Sequence, residues 1–267
     1  MNSGKNIKLI ALDIDGTIID RANGVRVHPD VREAVREARE AGIKVCLSSA
    51  RPGYYMQDAT KDLDAIDGKV GCSGSYVERE GVCLYKNAIH LPVLIASFET
   101  AKRLDVYMSF AGDDKILVCK KGPVIPPLEK GSAFEVLEDE ALLERFRKEE
   151  FMIAFIFTQV EMEKEEVFTD PAFADATIHK SSERSFNMTN IGTDKGTGVL
   201  MLAESWGIPP EAILAVGNDE NDIPMFEAGG VGVAVANARP EVLEAADWVA
   251  PDVRDGGAAE AIRRFAL

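Results

Sequence analysis

The chain has 267 residues, 46% of them hydrophobic, and its 45 acidic side chains outnumber 30 basic ones to give a formal net charge of −15. That length and apolar content suffice for a substantial core, in one large domain or two. The acidic balance argues against nucleic acid or an anionic membrane as partner, because both reward basic surface.

In chain order, Lys8 to Leu12 is an apolar run that stops at Asp13 and Asp15, with Gly16 and Thr17 behind them. A parallel strand covered on both faces reads as continuous hydrophobics, and open α/β sheets bind ligands beyond the carboxyl ends of their strands. An Asx-type turn closing an ordinary strand would explain a lone D-x-D equally well. Ile18 to Val27 reads as a polar turn around Asn23-Gly24. Pro29 and Gly42 then bracket a helix whose Val31, Ala34, Val35, Ala38 and Ala41 form one apolar stripe. Lys44 to Leu47 is a second strand, parallel to the first through a right-handed crossover, and it ends in Ser48-Ser49-Ala50-Arg51. A helix over about Tyr54 to Leu63 leads to Val70-Gly71-Cys72-Ser73-Gly74-Ser75-Tyr76-Val77.

From Lys86 to Phe186 the pattern changes to α+β. Val106–Phe110 and Lys115–Cys119 flank Ala111-Gly112-Asp113-Asp114 as a hairpin, Ala141–Lys148 reads as a helix, and Phe151–Phe157 as a central strand. Lys195 opens a helical stretch through Leu200, Leu202, Ala203 and Trp206, and Ile213–Val216 is a strand running into Gly217-Asn218-Asp219-Glu220-Asn221-Asp222-Ile223-Pro224-Met225. Val231–Val235 is a further strand, a helix runs from Asn237 to Ala246, Trp248–Ala250 is a last short strand, and Asp255-Gly256-Gly257 turns into a final helix.

Cys46, Cys72, Cys83 and Cys119 lack C-x-x-C spacing and fall in or beside apolar segments, which predicts buried free thiols. His28, His90 and His179 are too scattered for a metal cluster. The only early apolar run is already the first strand, so the sequence predicts no signal peptide, no membrane span and a cytoplasmic protein.

Asp13-Ile14-Asp15-Gly16-Thr17, Ser49 at its strand end, Lys195 within Gly192-Thr193-Asp194-Lys195-Gly196, and the acidic segment from Gly217 to Met225 resemble, in order, the four motifs of the haloacid dehalogenase (HAD) phosphohydrolase superfamily. The stretch around Ser73 resembles the N-G-A segment of the Cof-type branch, with Ser73 where that branch usually has Asn, and the C-terminal tail resembles the Cof-type ending. The resemblance implies an α/β fold: a Rossmann-like, doubly wound parallel-sheet core of residues 1–85 and 188–267, with residues 86–187 inserted as an α/β cap of the C2B type that chooses the substrate. Hinges are expected near Tyr85–Ala88 and Phe186–Ile191.

The resemblance also implies an activity, Mg²⁺-dependent hydrolysis of a small phosphorylated metabolite such as a sugar phosphate through an aspartyl-phosphate. Asp13 would be the nucleophile, Asp15 the acid and base, and Lys195 the cation that shields the nucleophile. Ser49, Ala50, Arg51 and Asn221 would hold the substrate phosphate, with pairing to the acidic fourth motif the other reading of Arg51, and Asp13, the Asp15 carbonyl, Asn218, Asp219 and Asp222 would supply the Mg²⁺ ligands. Asn218 departs from the family, which most often has aspartate there. Asp15 disfavours the dehalogenase and transport-ATPase branches. A phosphomutase of the phosphomannomutase type is the alternative within the superfamily, and a noncatalytic phospho-ligand-binding protein the alternative from another class. Neither the substrate nor the oligomeric state is encoded in a recognisable motif.

Overall fold

In the computed structural model, which describes residues 6–20, 26–63, 66–119 and 134–267, the first strand is β1 (Leu9–Leu12). All of it is buried, and successive side chains alternate between two apolar layers, Ile10 and Leu12 in one, Leu9 and Ala11 in the other. Helix α1 (Pro29–Glu40) has its proline in the first turn, and His28 caps it by accepting from the Asp30 backbone N–H. Its buried Val31, Ala34, Val35 and Ala38 are four of the predicted stripe and join the layer of Ile10 and Leu12, whereas Ala41 falls past the helix end and is exposed. The predicted Asn23-Gly24 turn lies outside the described residues. β2 (Lys44–Ser48), α2 (Gly53–Thr60), β3 (Gly68–Gly71), β4 (Tyr76–Arg79) and β5 (Val82–Lys86) follow, α2 stopping short of the expected Leu63.

Lys86–Thr193 form a compact unit of their own. Its elements are α3 (Leu91–Leu104), β6 (Tyr107–Ala111), β7 (Ile116–Cys119), β8 (Phe134–Leu137), α4 (Asp139–Phe146), β9 (Ile153–Phe157), α5 (Lys164–Val167), β10 (Ala176–Ser182) and β11 (Ser185–Asn190). The strands make one sheet in the order β10-β11-β9-β6-β7-β8, with β6 and β7 as the expected antiparallel hairpin and β9 inside the sheet. Val93, Leu94 and Phe98 of α3 and Leu142 and Phe146 of α4 share a cluster with Phe110, Phe151 and Phe186. Phe110 and Phe146 meet edge to face at 4.7 Å. A boundary at residues 187 and 188 would cut β11, whose register with β9 and β10 holds it in this unit, so the divide instead falls between Thr193 and Asp194. Only Phe186 and Met188 of β11 are apolar, which hid this strand in the sequence.

The chain after Thr193 joins the segment up to Tyr85 in the other compact unit. It supplies α6 (Lys195–Ser205), β12 (Ile213–Gly217), α7 (Ile223–Ala228), β13 (Val231–Val235), α8 (Pro240–Ala245), β14 (Trp248–Ala250) and α9 (Gly257–Phe265). The eight-stranded sheet has the order β14-β13-β12-β1-β2-β3-β4-β5. Pairing is parallel from β14 to β3, and β4 turns back antiparallel on β3, so the predicted parallel sheet carries a mixed edge. One face packs α1 and α9, the other α6 and α7, which is the doubly wound arrangement. Leu12 is level with both Leu47 and Val216, so β2, β1 and β12 end together.

All four cysteines are free. Cys46, Cys72 and Cys119 are buried as expected, but Cys83 is exposed on β5, the last strand at its edge of the sheet. Among the described residues no helix is long and apolar enough to cross a membrane.

Candidate active site

Because the three central strands end together, the residues after them converge. Asp13, only 5% exposed, follows β1, and its backbone N–H donates to Val216 O at 3.0 Å. Lys195 is the first residue of α6 and is 1% exposed. Its Nζ donates to Asp13 Oδ1 at 2.7 Å and to Asp222 Oδ1 at 2.6 Å. Two local features bring it there. Asp194 caps α6 by accepting from Thr197 N at 2.7 Å, and a Cβ on Gly196 would lie 2.2 Å from Pro224 O, so only glycine lets α6 approach α7 this closely. Asp222 is fully buried, and its other oxygen accepts from Asn218 N at 2.8 Å and Asp219 N at 3.0 Å.

One ammonium between two buried carboxylates leaves a net negative charge in the interior. Burial is the main reason that Asp13 is pushed up to about 7, and Asp222 adds to it while Lys195 pulls the other way. Burial also opposes the charge on Lys195, but Asp13 and Asp222 outweigh it and hold the ammonium protonated above its ordinary range. A site so arranged favours a further positive charge beside Asp13.

The turn after β1 shows where such a charge fits. Gly16 is left-handed (φ +87°), and a Cβ on it would lie 2.6 Å from Asn218 Nδ2. Its carbonyl accepts from Asn237 Nδ2 at 2.7 Å, which ties the turn to the segment after β13. Thr17 Oγ1 is 3.0 Å from Asp13 Oδ2 and 2.8 Å from Asn218 Oδ1. The same end of the Asn218 amide is 3.0 Å from the Asp15 carbonyl oxygen and 3.2 Å from Asp13 Oδ2. Oxygens on adjacent corners of an octahedron around Mg²⁺ are separated by about 3 Å, so carboxylate, carbonyl and amide oxygens fit this ion. No cluster of three or more His, Cys, Asp or Glu side chains suited to a metal occurs among the described residues.

The other two predicted metal residues face elsewhere. Asp219 accepts from Glu220 N at 2.9 Å, approaches Arg239 Nη1 at 3.5 Å and is raised by burial, while both oxygens of Asp222 are engaged by Lys195 and the loop backbone. Asp219 and Asp222 therefore lie outside the oxygen cluster formed by Asp13, the Asp15 carbonyl and the Asn218 amide, and Asp222 orients Lys195.

Arg51 grips Asp15 with two bonds, Nε to Oδ2 and Nη2 to Oδ1, each 2.7 Å. Ser49 is 2% exposed, and its Oγ accepts from Arg51 N at 3.2 Å, while Ala50 is half-buried between them. Cys72 and Ser73 are both left-handed (φ 51° and 48°), pinned by Cys72 N to Arg51 O and Ser73 N to Ser49 O, each 3.0 Å. Ser73 Oγ and Asn221 Oδ1 are buried without a hydrogen-bond partner among the described residues. Sequence reasoning missed Thr17 as a partner of Asp13 and missed Asn237 altogether. Thr17 was legible from its place four residues after the nucleophile position, whereas Asn237 carried no signal beyond preceding a helix.

Residues 10–262 match the family of haloacid dehalogenase-like hydrolases. The chain belongs to that family. Within the HAD superfamily it is an enzyme of the phosphatase branch of Cof type. A phosphoglycolate phosphatase of Methanothermobacter thermautotrophicus is 31% identical over 260 residues, covering 97% of this chain and 99% of its own. One of Methanoculleus marisnigri is 29% identical over 267 residues, covering 97% of each. A solved sugar phosphatase of HAD subclass IIB superposes with a TM-score of 0.84 at 24% identity, over 96% of this chain and 98% of its own, and so shares the fold.

Proposed function

We propose that this HAD phosphatase hydrolyses a small phosphate monoester with Asp13 as nucleophile. The observation that carries this reading is the Asp13 carboxylate at the end of the central strand, with Lys195 on Oδ1 and an oxygen cluster at Oδ2. Phosphate esters hydrolyse very slowly unaided, so a site must align a nucleophile and neutralise charge on the transferring group. Asp13 attacks phosphorus, the ester P–O bond breaks, and Asp15 delivers a proton to the departing oxygen. Water then attacks the aspartyl-phosphate, Asp15 takes its proton, and phosphate leaves with Asp13 regenerated.

Both Asp15 oxygens are held by Arg51, so Asp15 is free to carry a proton only when Arg51 turns to another anion. A phosphate monoester supplies that anion, which couples substrate arrival to release of the acid. Asp13, the Asp15 carbonyl and Asn218 would hold Mg²⁺, which supplies charge neutralisation to the phosphoryl oxygens when bound. Lys86–Thr193 would act as the substrate-selecting cap. Phosphoglycolate, named for the two archaeal relatives, heads the candidate substrates, with sugar phosphates next.

The test is release of inorganic phosphate from phosphoglycolate, sugar phosphates and nucleotides, with Mg²⁺ and with chelator, for the wild type and Asp13→Asn. Metal-dependent, sustained release that the variant lacks is expected. Retention of substantial activity by Asp13→Asn overturns the nucleophile, and isomerisation without net release points to a phosphomutase.

A further inference from the structure

The Asn218 amide can present either of its two ends to the same three oxygens, and counting protons separates the cases. Thr17 has a single hydroxyl proton, yet its Oγ1 is within hydrogen-bonding distance of Asp13 Oδ2 (3.0 Å) and Asn218 Oδ1 (2.8 Å). With the amide oxygen at that end, it also faces the Asp15 carbonyl at 3.0 Å and Asp13 Oδ2 at 3.2 Å. Oxygens crowded in this way need a cation among them. Half a turn of the amide replaces that oxygen by nitrogen, which then donates to Thr17 Oγ1 at 2.8 Å and to the Asp15 carbonyl at 3.0 Å or Asp13 Oδ2 at 3.2 Å. Thr17 donates its hydroxyl proton in a hydrogen bond to Asp13 Oδ2, and every bond has one proton. The two ends of an amide have nearly the same shape, so the turn needs no repacking.

We propose that Asn218 is a cation-responsive switch, its amide nitrogen standing at the ligand corner of the site in the metal-free protein and its oxygen turning into that corner when Mg²⁺ binds. The inference rests on the reading that this oxygen cluster takes Mg²⁺. Aspartate at this position has no N–H, and without metal it would set a second carboxylate against Asp13, where Asp222 already adds negative charge. Asparagine therefore leaves the metal-free site internally bonded and holds Mg²⁺ more loosely.

The decisive measurement is the side-chain amide resonance of Asn218 in the wild type, assigned by its loss in Asn218→Asp, in chelator and in saturating Mg²⁺. Calorimetric Mg²⁺ binding and unfolding midpoints of both proteins accompany it. The amide protons should shift and change their exchange rate on Mg²⁺ binding. Asn218→Asp should bind Mg²⁺ roughly tenfold more tightly and gain more in unfolding midpoint from the metal than the wild type. Mg²⁺ binding to the wild type with stationary Asn218 resonances overturns the switch while leaving the metal site standing. If neither protein binds Mg²⁺, the metal reading falls and the switch with it. Should Asn218→Asp fail to fold in chelator, assignment in Mg²⁺ still lets the wild-type resonances decide.

Discussion

Asp222 and Lys195 meet at 2.6 Å with side chains 0% and 2% exposed, and this contact spends only one of the two carboxylate oxygens. The other takes the Asn218 and Asp219 backbone N–H groups, so each end of Asp222 must accept. Asp222→Asn fails at one end whichever way its amide points. Breaking a buried charge pair of this kind costs about 3–5 kcal/mol. Denaturant unfolding of the variant should show a loss of that order together with loss of phosphatase activity. A stability change under about 1 kcal/mol would show that the loop does not depend on Asp222.

Arg51→Lys keeps the positive charge and loses the fork that binds both oxygens of Asp15. A lysine cannot hold Asp15 in a fixed orientation or exchange two parallel bonds for a phosphate. The expected result is a fall in kcat/KM of about ten- to a hundredfold, with unfolding stability nearly unchanged. Wild-type kinetics in the variant would mean that Arg51 contributes charge alone.

Most of the candidate site was legible in the sequence because the residues proposed for it sit where buried strands stop. Asp13, Ser49 and Asn218 each follow an apolar run that only a central parallel strand explains. Lys195 is different. A lysine early in a helix reads as a surface group, and only its motif indicated burial, which the structure accounts for through the close approach at Gly196. Side-chain aim was not legible. Asp219 and Asn218 are neighbours with similar chemistry, and the short helical turn after Asp219 directs one carboxylate onto Glu220 N while Asn218 is left facing Asp13. The strands β10 and β11 were hidden because β10 carries few apolar residues and β11 only Phe186 and Met188, and their place in the sheet comes from pairing, β11 on β9 and β10 on β11.

Asp67 precedes β3 and is 8% exposed. Burial opposes its charge, but the Val45 N–H, Arg39 and Lys44 more than compensate and hold its carboxyl below the ordinary range of 3.8. A depressed pKa in the folded state means that the stabilisation is fully present above the unfolded value and is lost as pH falls through the folded one. Asp67→Asn should therefore cost about 1–3 kcal/mol at pH 7, and the difference from wild type should shrink as pH drops below about 4. Unfolding free energies measured across that range check both parts. A difference that stays constant down to acid pH would mean that shape rather than charge matters at this position.

Asp219 is one residue from Asn218 and is turned away from the oxygen cluster, its carboxylate on Glu220 N and near Arg239. If the loop slipped by one residue, Asp219 would be the metal ligand and Asn218 a bystander. The geometry favours the opposite, because the Asn218 amide lies 3.0 Å from the Asp15 carbonyl and 3.2 Å from Asp13 Oδ2. Asp219→Asn keeps an acceptor for Glu220 N and removes only charge. Its Mg²⁺ concentration for half-maximal activity should stay within about twofold of wild type, whereas Asn218→Asp should lower that concentration roughly tenfold. Titrations at fixed pH and ionic strength separate the two, since a change in general electrostatics would move both variants by similar amounts. A large rise for Asp219→Asn with no response from Asn218→Asp would move the ligand by one residue and reassign the role of this loop.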